Sequence, residues 1–190
     1  MKRSSNRIQI ITTASDLFLQ KGLANTSMDD VVAKSGVSKS NIYYHFKSKE
    51  ELTGAVLAHR MNLLQDTLGA ILHSRELTVA ERIKRIFTTL AAELEGRSCV
   101  GGCPVFSLLS ANVPDIKMRI NLFLEEMKKI AEKLLSEGIA QGEFKADISI
   151  FQTATLLVTV LEGSIMLAEA QGDSTVLINA GNTFLHLLKV

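Results

Sequence analysis

Between residues 38 and 49 the chain gathers groups that hydrogen-bond readily. Lys39-Ser40-Asn41 comes first, then Tyr43-Tyr44-His45, with Lys47 and Lys49 close behind. Tyr43 and Tyr44 are the only two tyrosines in the chain. Small polar groups at the start of a helix are thin enough to enter a major groove and can reach base edges. Tyrosine hydroxyls and lysine ammoniums suit phosphate oxygens. Ser38 and Thr26 stand at expected helix N-termini, where phosphate oxygens are well received. The chemistry on offer is recognition of duplex nucleic acid. A purely structural account would bury one tyrosine ring and leave the other a bystander.

Other residue types offer less. Cys99 and Cys103 flank Val100-Gly101-Gly102, without the second pair or nearby histidines that a zinc site needs. Arg97 beside Cys99 would favour a thiolate. Cys103 before Pro104 would cap a helix N-terminus, which also lowers a thiol's pKa. A thiol sensor of oxidants or electrophiles is therefore an alternative to two ordinary cysteines at a glycine loop. His45, His59, His73 and His186 have no ligand spacing, and no nucleophile elbow, phosphate loop or dinucleotide fingerprint occurs. No cofactor, metal or catalytic group is expected.

The elements that must position these groups read as helices almost throughout. Ile8, Ile11, Ala14, Leu17 and Phe18 recur at helical steps, and Gly22 supplies a stop. Ser27 fits an N-cap, with Asp29 and Asp30 in the first turn that follows. Two short helices, Met28 to Lys34 and Lys39 to His45, flank Ser35-Gly36-Val37-Ser38. That is the pattern of a helix-turn-helix, in which the first helix braces the second and the glycine allows the turn. Ile42 and Phe46, four apart, face inward. A helix from Ser48 to about His73 follows, then one from Thr78 to about Glu95. Pro104 and Pro114 each fit a first helical position. The helix from Pro114 runs to Gly138, another runs from Asp147 to about Ala170, and the last runs from about Thr175 to Leu188. No hairpin signal or sustained alternation is present, so the expected fold is all-α with about nine helices.

The chain has 190 residues, 46% of them apolar, enough for a sizeable core. Two prolines and two cysteines exclude proline-rich and disulfide-stapled classes. The net charge of +1 hides an asymmetry: residues 1–50 hold eight Lys/Arg against four acids, and the rest hold 13 against 16. A basic first piece on an acidic body points to an anionic partner for that piece. The charge-free stretch Ile148 to Leu161 has 14 residues, short of the roughly 20 of a membrane span. The basic start Met1-Lys2-Arg3 leads into no apolar signal segment. A cytoplasmic protein with no membrane partner is expected.

The run Thr26-Ser27-Met28-Asp29-Asp30-Val31-Val32-Ala33-Lys34-Ser35-Gly36-Val37-Ser38-Lys39, continuing Ser40-Asn41-Ile42-Tyr43-Tyr44-His45-Phe46-Lys47-Ser48-Lys49-Glu50-Glu51-Leu52, resembles the TetR family of bacterial transcriptional repressors. The resemblance is close over about residues 7–60; beyond them it extends to length and helical character. Ser40-Asn41 departs from the glycine and threonine common there, which bears on the operator sequence. The resemblance implies a DNA-binding domain over 1–48, a ligand-binding and dimerisation domain over 49–190, and a homodimer on a palindromic double-stranded operator. Its two reading helices would lie about 34–36 Å apart, or a multiple of that. Lys39, Ser40 and Asn41 would read or border bases. Thr26, Ser38, Tyr43, Tyr44, His45 and Lys49 would fix register on phosphates, and Ser27, as the cap beside Thr26, joins the DNA-binding set. Tyr43→Phe and Lys49→Ala are expected to weaken binding across sequences, with only the lysine change lowering the salt slope. Equal binding by wild type and Lys49→Ala over a salt titration would contradict the phosphate role.

The same resemblance puts a dimer interface on the last two helices, with Phe151, Ala154, Val158, Leu161 and Ile165 on one stripe and Leu177, Ala180, Gly181, Phe184 and Leu188 on the other. Gly163 and Gly181 would permit close helix approach, which packing within one subunit would explain equally well. A small-molecule effector would occupy a cavity, for which Phe87, Leu90, Leu94, Phe106, Leu109, Met118, Phe123 and Met127 are candidates beside ordinary core roles. Thr155, Thr159, Glu162 and Met166 share a helix face and are further ligand-binding candidates; a glutamate there needs a partner or water, and it would make an inter-subunit hydrogen bond, lie at the surface, or anchor a ligand's donor or cation. The expected function is a repressor released by a mostly apolar ligand; the alternative is a thiol-sensing repressor using Cys99 and Cys103.

Overall fold

A computed structural model describes residues 2–189, with side chains from Asn6 onward. The basic start, Met1 to Arg3, lies outside the described side chains. The described elements are α1 (Lys2–Lys21), α2 (Met28–Ser35), α3 (Lys39–His45), α4 (Lys49–Leu72), α5 (Val79–Glu95), a 3-10 helix (Phe106–Ala111), α6 (Pro114–Ala140), α7 (Ile150–Gln171) and α8 (Thr175–Leu188). Among the described residues the only β-type pairing is an isolated bridge between Phe144 and Lys189. The fold is all-α, as the periodicity predicts.

Local chemistry sets the ends. Ser27 and Thr78 each begin a helix with a reciprocal capping box, to Asp30 and Glu81 respectively. Gly36 and Gly172 close α2 and α7 with φ of 68° and 65°, a conformation that costs glycine little. Pro114 is the first residue of α6, whereas Pro104 begins no α-helix. The segment after Pro104 forms a short 3-10 helix, which Asn112 closes at φ 51° just before Pro114 opens α6.

The chain forms two compact units. The first comprises Met1–Gln65 and Pro104–Ile120, so it reaches past residue 48 and takes in a distant segment. Two arginines tie that segment down. Arg60, 3% exposed, donates from Nε to Ser15 Oγ (3.0 Å) and from Nη2 to the Ser15 carbonyl (2.7 Å). Its Nη1 donates to the Pro104 carbonyl and to Ser107 Oγ (3.1 Å). Arg119 donates to the Gly54 carbonyl at 3.2 Å. Ile10, Ala14, Phe18, Val31, Ile42, Phe46, Leu52 and Val56 form the apolar interior of this unit.

The second unit comprises Asp66–Cys103 and Asn121–Val190. Its core joins α5, α7, α8 and the later part of α6 through Ile83, Phe87, Leu94, Leu135, Phe144, Ala154, Leu161, Ile165, Leu177 and Phe184. Phe144 packs against Gly138, and Phe87 against Gly181; a Cβ at either glycine would meet the ring closer than 3 Å.

Candidate nucleic-acid interface

The reading element is built by burial on one side. Ile42 is fully buried and Phe46 is 1% exposed, so α3 is seated by its apolar side. Gln9 Nε2 donates to the Ser35 carbonyl at 2.8 Å, fastening α1 to the end of α2. Arg7 lies over the Phe46 ring with its guanidinium carbon 5.3 Å from the centroid. Lys39, Ser40, Tyr43, Tyr44 and Lys47 are all exposed, and Asn41 and Lys49 are half-buried. Ser38 is exposed as well, whereas Thr26 is buried and His45 half-buried.

Several of the candidate DNA-binding residues already have partners within the chain. Lys39 pairs with Asp29 at 2.8 Å, and that hydrogen bond raises the lysine's pKa. Ser27 is occupied as the α2 cap, its hydroxyl 2.6 Å from Asp30, whose carboxyl is held below the usual range by this contact. Thr26 is 1% exposed, and its hydroxyl donates to the Gly22 carbonyl at 2.9 Å. It braces the turn after α1 from inside, so its side chain is not presented to a phosphate. Ser38, by contrast, makes no capping bond; its hydroxyl sits 3.3 Å from Ser40 Oγ on the open surface. Lys47 Nζ donates to the Tyr43 carbonyl at 2.9 Å, and Ser48 caps α4 by accepting from the Glu51 N–H at 3.2 Å. The Tyr44 and His45 rings meet edge to face at 5.1 Å, and His45 Nε2 is buried with no hydrogen-bond partner among the described residues. Sequence reasoning missed Gln9 as a fastener and Asp29 as the partner of Lys39, although Asp29 was visible as a first-turn acid.

The second unit carries a half-open apolar pocket with a cavity volume of about 80 Å³, lined by Leu68, Leu72, Ile83, Ile86, Phe87, Met127, Ile130, Ala131, Leu134, Leu157, Val158 and Leu161. Of the candidate ligand residues, Phe87 and Met127 line it. Leu94 and Phe123 are buried in the interior, and Leu90 packs half-buried against the core. Phe106, half-buried, and the exposed Leu109 and Met118 belong to the first unit. Thr155 and Thr159 are exposed and donate back to carbonyls of α7, and Met166 is exposed. Glu162 faces Cys103.

Most of the expected dimer stripe is turned inward. Ala154, Val158, Leu161, Ile165, Leu177, Gly181, Phe184 and Leu188 are buried, Ala180 is half-buried, and Phe151 alone of that set is exposed. The opposite side of α7 carries Phe151, Leu156, Met166 and Leu167 in the open, and Leu187 of α8 is also exposed. Gly163 has nothing near its would-be Cβ, whereas Phe87 crowds Gly181. Among the described helices, α7 is the only one long and apolar enough to cross a membrane. Its inward residues belong to the core, and Glu162 interrupts it at mid-length.

A family model described as bacterial regulatory proteins, tetR family, matches residues 10–56. A second, tetracyclin repressor-like, C-terminal domain, matches residues 79–184. The HTH-type transcriptional repressor DhaR of Mycobacterium sp. (strain GP1) is 26% identical over 167 residues, which cover 87% of this chain and 83% of its own. The HTH-type transcriptional regulator YxaF of Bacillus subtilis (strain 168) is 28% identical over 188 residues, covering 93% and 91%. The crystal structure of a regulatory protein TetR from Rhodobacter sphaeroides superposes with a TM-score of 0.88 at 20% identity, over 95% of this chain and 97% of that one. Helix-turn-helix geometry, both domain matches and these relatives agree: the chain belongs to the TetR family of DNA-binding transcriptional regulators and is not an enzyme.

Proposed function

We propose that this protein is a cytoplasmic repressor that binds a palindromic operator as a homodimer and lets go when a small, mostly apolar compound enters the second unit. The observation that carries the reading is the two-sidedness of α3. Ile42 seats it, while Lys39, Ser40, Tyr43 and Tyr44 are open to a groove. Asn41 and Ser40 meet base edges; Tyr43, Tyr44, Ser38 and Lys49 hold phosphates. Lys39 exchanges its exposed bond to Asp29 for the duplex, a small cost because exposed ion pairs contribute little.

The partner subunit covers the outer side of α7, where Phe151, Leu156, Met166 and Leu167 gain burial by pairing with their copies. Gly163 lies open on that helix and admits close approach.

The cavity supports an apolar ligand because its described lining is wholly apolar. At about 80 Å³ it is smaller than the roughly 300–1,000 Å³ of ordinary ligand pockets. On this reading a larger ligand enters by parting the helices that line it. Release then needs the ligand to prefer the parted arrangement: a 100-fold loss of DNA affinity takes roughly 2.7 kcal/mol of differential binding. Helix α4 runs unbroken from Lys49 beside the reading head to Leu72 at the cavity.

Footprinting on the DNA upstream of its own coding sequence, with and without a compound library, tests the whole reading. The expected result is an inverted repeat protected by the free protein and exposed by some compound. A purified protein that stays monomeric, or that protects no inverted repeat, overturns it.

A further inference from the structure

Cys103 Sγ lies 3.6 Å from Glu162 Oε1, the thiol donating to the carboxylate. Cys103 is half-buried and Cys99 fully buried, so a small reagent reaches Cys103 first. Burial pushes the Glu162 carboxyl up to about 7, with the thiol contact drawing it part of the way back. A carboxyl at that value is well matched to taking a proton from a thiol near neutral pH, unlike an ordinary glutamate.

The loop that delivers the thiol is held at several points. Arg97 donates to the carbonyls of Val100 (2.9 Å) and Gly102 (3.1 Å), and Glu169 accepts from the Gly101 N–H at 2.9 Å. Ser98 and Cys99 have φ of 54° and 57°, a costly region for residues with a side chain. The Arg97 guanidinium is close enough to both thiols to interact with their charge. The expected helix cap at Cys103 does not form, because no α-helix starts at Pro104. The thiol is instead paired with a proton acceptor. Neither the DNA surface nor the apolar cavity uses this cluster.

We propose that Cys103 is a covalent sensing site for soft carbon electrophiles of the α,β-unsaturated carbonyl class, with Glu162 as its proton acceptor. The sulfur lone pair forms a C–S bond to the β-carbon as the C=C π bond breaks, and that electron pair moves to the carbonyl as an enolate. The S–H proton passes to Glu162 and from there to the α-carbon. No oxidant is consumed, and the carboxylate is regenerated.

The adduct removes the donor that Glu162 had and places bulk on residue 103. The next residue is Pro104, whose carbonyl accepts from Arg60, and Arg60 also holds Ser15 of α1. The chain passes directly from the modified residue into that hydrogen-bonded segment of the first unit. The output of the sensor rests on the DNA-binding reading above; its chemistry does not.

The test uses the full chain and N-ethylmaleimide at pH 7, followed by intact mass and peptide mapping. The first adduct is expected on Cys103, at a rate about tenfold above that of Cys99 and about tenfold above that of Cys103 in Glu162→Gln. The wild-type rate against pH should carry a step near 7 that the glutamine variant lacks, which a merely structural Glu162 would not produce. The adduct should bind the footprinted duplex about 100-fold more weakly, while Cys103→Ser binds normally and ignores the reagent. Equal Cys103 rates in wild type and Glu162→Gln, or first reaction at Cys99, overturn the site. Complete Cys103 adduct with unchanged DNA affinity overturns the sensing role. If the unmodified protein binds no duplex, the regulator reading and the output fall together, and the adduct rates still decide the chemistry.

Discussion

Replacing Arg60 by alanine is expected to cost the first unit about 3–5 kcal/mol. The side chain is 3% exposed, and its fork supplies donors to two backbone carbonyls and two serine hydroxyls. Truncation strands those acceptors away from water, at about 1–3 kcal/mol for each buried group left without a partner. It also opens a void that neighbouring helices fill incompletely. Arg60→Met restores volume without donors, and Arg60→Lys restores charge without the planar fork. The expected order of loss is therefore alanine, then methionine, then lysine. The protein offers a convenient reporter. It has no tryptophan, and both tyrosines lie on α3, so tyrosine emission during denaturation follows the first unit, while far-ultraviolet circular dichroism follows all helices. The tyrosine transition should move to lower denaturant in the order given. A tyrosine midpoint unchanged in Arg60→Ala would show that the guanidinium is not the tie between α1, α4 and the segment after Pro104.

Arg60 also marks the limit of what the sequence discloses. The reading helix was legible because its information is local: Ser27 with Asp30, Gly36 at the turn, and Ile42 four residues before Phe46 act within a few residues of one another. Helix ends at Pro114, Thr78 and Gly172 were readable for the same reason. Arg60 stands four residues after Val56, on the apolar stripe of α4, which was a usable sign that a charge was being buried. Its partners lie 44 to 47 residues away and could not be named from spacing. Thr26 looked like a phosphate contact because it precedes a cap, yet its hydroxyl turns back to the Gly22 carbonyl along a path that only the folded turn defines. On α7 the difficulty was different. Apolar residues occur on nearly every side, so periodicity could not choose the inward face; Ala154, Leu161 and Ile165 face the core while Phe151, Leu156 and Met166 do not. A helix that is apolar all round tells the reader that two surfaces want covering, but not which one belongs to the same chain.

The two glycines on the last two helices separate those surfaces by experiment. Gly181→Leu should destabilise the subunit by about 3 kcal/mol, because a Cβ there would come 2.6 Å from Phe87 Cγ and 3.0 Å from Phe87 Cβ. Those atoms are the root of the side chain and cannot swing away, and Phe87 is only 1% exposed. For a chain of this size the thermal midpoint should fall by about 6–12 °C. Gly163→Leu meets no atom within 4 Å of its Cβ and replaces a residue of poor helix propensity, so the isolated subunit tolerates it. If a second copy packs on that side of α7, the leucine holds the two helices apart, and dimer dissociation should rise by about 100-fold or more in sedimentation equilibrium. Helix content by circular dichroism should stay at the wild-type value for Gly163→Leu. A variant that dimerises as tightly as wild type would move the interface off this face. A wild-type melting point for Gly181→Leu would mean that Phe87 can leave its seat, and with it the wall of the cavity that Phe87 helps to form.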